Sequence, residues 1–477
     1  MPLILGTNSI KDTGYDVANS CRFNSGDDCK ISRTSPNSSP TNADKFTFSC
    51  WVKRSTLGTD SQIFDTYNGS SGGQFQMYFK SDDTLRVQVY NSSTKAEFIP
   101  NRKFRDVSAW MNIIFVYDSS QGTASNRAKL YVNGTQETSF ATETYPSQNV
   151  DGEFAIQNHI QMIGTNAGNS TDFGGYMAEV IGVDGQALAH TQFGEFDEDS
   201  PTIWKPIDVS SINVGTLGFY LDFEDSSALG NDVSGVGDFS LTNLAATDQS
   251  SDTCTNNFAT MNPLVFNTST GNTFAEGNLQ VSTTDSAIFG AVSTIGVSSG
   301  KFYMEVKPTQ IENKNALGIT SSGSDDARNN SRPGTSTNSV GIRSSGDVAS
   351  GGSGVSGSWD SFTTSDIVGI ALDLDNNKLY FSKNGTFMNS GDPTSGSTGT
   401  GAISLTDPAS TTDGFYFFAF GDPGSGSGTS NIAQFNFGSP PYAVSSGNAD
   451  ANGFGNFEYA PPSGYFALCS KNLAEHG

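Results

Sequence analysis

Alternate carboxylates are the first residues in this chain whose spacing could do chemistry, in Glu195-Phe196-Asp197-Glu198-Asp199-Ser200-Pro201. On a strand, side chains two apart share a face, so Glu195, Asp197 and Asp199 would line one wall of a cleft. Two carboxylates across a glycosidic bond can there act as acid and as base or nucleophile. The surroundings argue against a strand: Ala187 to Phe196 predicts one helical turn after Gly185, and Pro201 closes the stretch. We therefore read a solvated acidic turn and no catalytic residue. Asp373-Leu374-Asp375-Asn376-Asn377 opens with calcium-loop spacing but lacks glycine at its sixth position and glutamate at its twelfth. Apolar strands on both sides make it a hairpin turn.

His159, His190 and His476 lie far apart and none accompanies a nucleophile motif such as Gly-x-Ser-x-Gly, so no triad is supported. Trp51, Trp110 and Trp359 sit in or beside apolar strands and read as core. Tyr67, in the polar loop Asp65-Thr66-Tyr67-Asn68-Gly69, is the candidate for stacking on a sugar ring. The Gly/Ser-rich tract from Ser321 to Ser358 reads as one long loop, functional or disordered, with Asp326, Arg328, Asn330 and Arg332 as candidate ligand contacts. Guanidinium forks suit carboxylate-bearing partners. No metal ligands can be named.

The elements that must position these residues follow from a pattern that occurs twice. Trp110, the apolar run Ile113 to Asp118, then Lys129-Leu130-Tyr131-Val132-Asn133-Gly134 returns as Trp359, Ile367 to Asp373, then Lys378-Leu379-Tyr380-Phe381 and Asn384-Gly385. Each copy reads as a buried strand ending in Asp, a polar turn, a second strand and a tight Asn-Gly turn, where both residues accept positive φ. The two buried strands are expected to hold equivalent internal positions. Further strands are predicted at Phe75 to Phe79, Leu85 to Tyr90, Gln161 to Ile163, Tyr176 to Val183 and Phe219 to Phe223, with Phe302, Met304 and Val306 facing inward in the second half.

Composition fits an all-β fold of two antiparallel β-sandwiches. Charged residues are 16% of 477, below the roughly 25% usual for globular chains, and 34 Phe with 15 Tyr supply the core. The formal charge of −24 would repel a phosphate backbone, so nucleic acid is excluded as a partner. Nothing approaches ~18 consecutive apolar residues, and Met1-Pro2-Leu3-Ile4-Leu5-Gly6 lacks a signal-peptide pattern, so neither membrane insertion nor signal-directed secretion is expected. Cys50 alternates with Phe46, Phe48 and Val52 and reads as core. Cys21 and Cys29 flank a turn and could face each other in a hairpin, bridged or as free thiols.

We divide the chain into a lead-in (1–20), a first sandwich (21–224), a polar linker (225–262), a second sandwich (263–442) and a tail (443–477). The tail carries Phe454, Phe457, Tyr459, Tyr465 and Phe466, too many aromatics for water; they either mediate self-association or fold back on the second sandwich.

Residues 21–224 resemble the laminin-G-like branch of the concanavalin A-like lectin/glucanase superfamily, a jelly-roll fold, through the Phe46-to-Lys53 strand, the Trp110 strand and Lys129-Leu130-Tyr131-Val132-Asn133-Gly134. The acidic stretch departs from that superfamily's Glu-x-Asp-x-Glu signature, ending in Asp. Residues 263–442 resemble a SPRY domain through Gly300-Lys301-Phe302-Tyr303-Met304-Glu305-Val306, Val368 to Asp373 and Lys378 to Gly385. Their order, with Phe219 to Asp225 between and Pro461-Pro462-Ser463-Gly464-Tyr465 near the end, looks like virion proteins of marine tailed phages. The resemblance implies a non-enzymatic virion protein: a tail or head fibre, or a capsid decoration. Its loops would bind a host-surface glycan or protein, and its partners would be other virion proteins and copies of itself, a trimer if a fibre. Alternatives are a purely structural virion protein and a glycan hydrolase. No cofactor is expected; calcium is the one metal that lectin-like sandwiches suggest.

Overall fold

The structure, a computed structural model, describes residues 12–67, 72–266, 273–283, 289–311, 315–321, 332–422 and 430–477. The chain divides into two compact units, Thr13–Thr255 and one built on Asn256–Gly477. Each is a pair of stacked antiparallel sheets, as the composition predicts.

In the first unit one sheet runs through Thr135–Gln136, Ala128–Val132, Met111–Asp118, Lys45–Arg54, Gly175–Asp184, Ser20–Phe23 and Gln249–Ser250. The facing sheet runs through Phe140–Thr144, Thr94–Pro100, Leu85–Tyr90, Gln74–Phe79, Ser61–Tyr67, Ile160–Ile163, Lys30–Thr34 and Ser240–Thr242. Phe46, Phe48, Cys50 and Val52 alternate inward from the first sheet and meet Phe75, Met77, Val87 and Val89 from the second. Phe46 lies edge-on to Phe75 at 4.8 Å and stacked on Phe154 at 5.0 Å, packing worth about 0.5–1.5 kcal/mol per pair beyond area burial. The first sheet is apolar on its other face too. Trp51, Trp110, Ile114, Tyr176 and Ile181 are covered there by Val17, Phe193, Trp204, Val209 and Val214.

In the second unit one sheet runs through Met261–Phe266, Phe289–Ser293, Phe417–Asp422, Ala316–Thr320, Ser339–Arg343, Val348–Ser350 and Ser353–Gly354. The other runs through Thr273–Ala275, Gln280–Ser282, Ile432–Asn436, Lys301–Gln310, Val368–Asp373, Lys378–Lys383 and Thr386–Phe387. Phe302, Met304 and Val306 face its core, as expected.

The repeated pattern occupies matching places. Met111–Asp118 lies between Lys45–Arg54 and Ala128–Val132, and Val368–Asp373 lies between Lys301–Gln310 and Lys378–Lys383. The match extends to side chains. Lys45 opposes and pairs with Asp118 (3.5 Å), and Lys301 opposes and pairs with Asp373 (3.1 Å). The turn residues Asn133 (φ 47°) and Asn384 (φ 49°) each accept on Oδ1 the amide of the residue that enters the buried strand, Asn112 and Ile367, at 2.8 and 2.9 Å. Asn is needed at both places because it combines left-handed backbone with a side-chain acceptor. Trp359 differs from Trp110: it sits in a loop well before its strand, half-buried.

Four expectations are corrected. The helix at Ala187 to Phe196 is one 3-10 turn, His190–Gln192, followed by a ribbon of Gly194–Phe196 with Trp204–Pro206, because burying Trp204 on the sheet requires an extended partner. Cys21 and Cys29 form no disulfide and do not face each other in a hairpin, since Ser20–Phe23 and Lys30–Thr34 enter opposite sheets. The tract from Ser321 to Ser358 is not one loop: from Ser339 onward it supplies three strands, whose small residues pass for loop composition but pair through the backbone.

The fourth concerns the linker. Ser240–Thr242 pairs with Lys30–Thr34 and Gln249–Ser250 with Ser20–Phe23, so the first unit extends to Thr255. Cations buried in the strands hold this polar segment: Arg33 to Asp232 (2.9 Å), Arg22 to Asp248 (3.4 Å) and Lys53 to Asp252 (2.7 Å). The second oxygen of Asp252 accepts the Trp110 indole N–H at 2.9 Å.

The tail folds back on its own unit. Glu305, fully buried, accepts the amides of Glu458 (2.9 Å) and Tyr459 (2.7 Å) and the side-chain amide of Asn436 (3.2 Å). Phe457 and Tyr465 then pack with Tyr303 and Tyr380, Phe466–Ala467 adds a parallel strand beside Lys301–Gln310, and the short helix Ser470–His476 follows.

Asp252→Ala is expected to destabilise the first unit by about 3–5 kcal/mol, because it strands Lys53 in the interior. Chemical denaturation followed by tryptophan fluorescence measures this; a loss below about 1 kcal/mol would show the pair to be dispensable. Glu305→Ala is expected to free the tail, seen as faster proteolysis within residues 443–477 while the preceding sandwich stays protected.

Candidate functional site

The second sheet of the first unit has one face in the core; among the described residues its other face is polar and part-exposed over Gln74–Phe79 and Leu85–Tyr90, and covered at Asp65 and Met162. Its strands alternate accordingly. Phe75, Met77, Val87 and Val89 go inward, and Gln74, Gln76, Tyr78, Arg86, Gln88 and Tyr90 go outward. Cross-strand register assembles these into rows: Ser32, Met162, Asp65, Gln76, Gln88, Glu97 and Thr144 in one, and Gln62, Tyr78, Arg86 and Ile99 in the next. The face is therefore a plane of amides, carboxylates and phenol rings.

Hydrogen bonds fix several of these groups in place. Arg86 donates to Glu97 Oε1 (2.6 Å) and to the Tyr78 hydroxyl (2.7 Å), and Gln88 donates to Thr94 Oγ1 (3.2 Å). Gln74 donates to Asp65 Oδ1 (2.9 Å), while the Ala167 amide reaches Oδ2 (3.1 Å). Burial nevertheless dominates at Asp65 and pushes its carboxyl up to about 7.

At one end of the face Tyr67 closes its strand opposite Ile160, an exposed apolar side chain. Glu153, buried with φ 58°, takes the Thr66 hydroxyl on its carbonyl at 2.8 Å and accepts from Asn91 Nδ2 at 2.7 Å, and burial raises its carboxyl. His159 is lowered by burial, and its Nδ1 has no hydrogen bond among the described residues. Gly73 makes room for both: a Cβ there would lie 2.5 Å from Glu153 Oε2 and 3.0 Å from His159 Cε1.

Of the residues singled out in the sequence, Tyr67 belongs to this face. Arg332 lies in the second unit, its backbone close over Gly421, and Asp326, Arg328 and Asn330 lie outside the described residues. The acidic stretch is occupied structurally. Glu195 and Asp197 pair with Lys205 at 3.5 and 3.4 Å, and Asp197 Oδ1 accepts the Asp199 and Ser200 amides. Asp373 and Asp375 likewise serve their hairpin, through Lys301 and the Gly300 amide. Among the described residues no three His, Cys, Asp or Glu side chains are grouped to hold a metal ion. The glutamine rows escaped the sequence reading, although Gln74-x-Gln76-x-Tyr78 and Arg86-x-Gln88-x-Tyr90 carry the signal of an outward polar face.

Residues 25–185 match the Laminin_G_3 family of the concanavalin A-like lectin/glucanases superfamily. No curated protein matches the chain. Among solved structures, a candidate carbohydrate-binding protein of Bacteroides ovatus is similar at 16% identity and TM-score 0.33, over 48% of this chain and 59% of that one, so less than two thirds of that protein is spanned. The SPRY domain of human HERC1 is similar at 12% identity and TM-score 0.24, over 33% of this chain and 87% of that one. Domain 4 of AbnA, an extracellular arabinanase from Geobacillus stearothermophilus solved with arabinotriose, is similar at 17% identity and TM-score 0.24, over 31% and 65%.

The raised Asp65 carboxyl gives a pH dependence with a definite sign. A folded-state value near 7 against 3.8 unfolded means its stability contribution is complete below pH 3.8 and lost as pH rises through 7. Asp65→Asn is expected to gain on the order of 3 kcal/mol relative to wild type between pH 4 and pH 8. Denaturation midpoints across that range test it; a constant difference would place the carboxyl in its ordinary range.

Proposed function

We propose that this chain is a non-enzymatic glycan-binding protein and that the polar face of the first unit is its saccharide surface. The observation that carries this is the outward row Gln76, Gln88 and Glu97, which the buried Asp65 continues. Planar donors and acceptors at strand spacing, flanked by Tyr67, Tyr78 and Tyr90, match the hydroxyls and apolar ring faces of a saccharide chain. The match of residues 25–185 to a superfamily of lectins and glucanases supports the same chemistry at the level of fold. Against hydrolysis stands the spacing of the carboxylates. Asp65 and Glu97 are three strands apart, roughly 14 Å at ~4.8 Å per strand, whereas glycosidase pairs need about 5–9.5 Å.

We further propose that the protein is a virion component displayed on a tailed-phage particle, where the face meets host-surface glycan. The tandem of laminin-G-like and SPRY-like sequence features supports that placement. Antibody labelling of intact particles tests it, and detection only in the soluble lysate would overturn it.

A glycan array probed with the full chain, followed by titration of the best neutral ligand, tests the saccharide surface. Gln76→Ala with Gln88→Ala is expected to weaken binding ten- to hundredfold, about two hydrogen bonds at roughly 1 kcal/mol each, with an unchanged melting temperature. Unchanged affinity would remove the face from the site, and turnover of any glycan would refute the non-enzymatic reading.

A further inference from the structure

The second unit carries a cleft of about 540 Å³ lined by Arg343, Asp347, Ala349, Gly354, Ser356 and Trp359, among others. It lies where one sheet ends. Ser339–Arg343 turns through Gly346 (φ 88°) into Val348–Ser350, and the two-residue strand Ser353–Gly354 is the edge. Trp359 is fixed on one wall: its indole N–H donates to the Val355 carbonyl at 3.2 Å and its ring packs edge-on against Phe381 at 6.4 Å. Gly357 lets the indole approach, since a Cβ there would lie 2.8 Å from Nε1.

Arg343 is half-buried on the wall and makes no side-chain hydrogen bond or ion pair among the described residues. Its charge is felt nearby: Arg332 is lowered first by burial and then by Arg343, with Asp422 opposing. In a chain of formal charge −24, Arg343 and Trp359 thus line one cleft. Asp347 on the same wall takes the Ser345 hydroxyl and keeps acceptor capacity for other hydroxyls.

We propose that this cleft is a second saccharide site, selective for sugars bearing a carboxylate, in which Arg343 takes the carboxylate in bidentate fashion and Trp359 packs on the pyranose. A guanidinium matches a carboxylate's two oxygens, and an indole supplies the apolar surface that a sugar ring covers. An acidic peptide fits less well. Peptide addition to a sheet needs a run of edge backbone, and this edge strand is two residues long. The site is independent of the polar face on the first unit.

Calorimetric titration of the full chain with hexagalacturonate tests this, beside its methyl-esterified form and a hexaglutamate peptide. Hexagalacturonate is expected to bind, and esterification, Arg343→Gln and Gly354→Phe are each expected to weaken it at least tenfold. Gly354 suits the blocking substitution because nothing lies within 4 Å of its Cβ position. The Gln76→Ala, Gln88→Ala variant is expected to bind it as wild type does. Absence of binding at millimolar concentration, equal affinity of the esterified hexamer, or unchanged affinity in both cleft variants would overturn the proposal. Tighter binding of hexaglutamate would replace it with a protein-docking surface.

Discussion

The arrangement of the first unit depends on charges it buries. Lys53 and Arg33 point away from water, and each is tolerable only with an anion beside it. Asp252 and Asp232 supply the anions from a segment far along the chain, and Asp252 also takes the Trp110 indole. Together these contacts draw residues 225–255 across the unit and add an edge strand to each sheet. Removing one member costs more than the pair's attraction suggests, since the remaining charge is left in a low-dielectric interior.

The second unit solves a similar problem with one carboxylate. Glu305 sits mid-strand and fully buried, an unstable place for an acid unless donors converge on it. The tail brings them, as the amides of Glu458 and Tyr459. Once anchored, its aromatics cover Tyr303 and Tyr380. The aromatic content that could have served self-association is thus used within the unit.

These constraints decide which surfaces remain for ligands. In the first unit the sheet beside Trp51 and Trp110 is roofed by residues of 193–214, whereas the facing sheet keeps Gln74, Gln76, Tyr78 and Tyr90 part-exposed on its outer face. A hydrogen-bonding plane survives only on a sheet that nothing apolar needs to cover. In the second unit the edge beyond Ser339–Arg343 leaves a guanidinium and an indole lining one cleft.

The sequence by itself determined the β architecture, the inward faces of the principal strands and the likeness of the two halves. Alternation and Asn-Gly turns are local signals, read within a few residues, whereas the Lys–Asp pairs that recur in both units appear only in the structure. Tyr67 stood out in sequence as an aromatic among polar residues, but Asp65 and Thr66 before it are buried strand residues rather than loop. Tertiary structure alone decided the rest. Asp232 and Asp252 look solvated until the cations they meet, some 200 residues away in sequence, are known. Small residues after Ser339 resemble a loop until backbone pairing shows strands. The row Asp65, Gln76, Gln88 and Glu97, and the cleft that Arg343 and Trp359 both line, exist only through register and chain reversal. Such long-range choices depend on which buried charge finds its partner, and no local pattern records that.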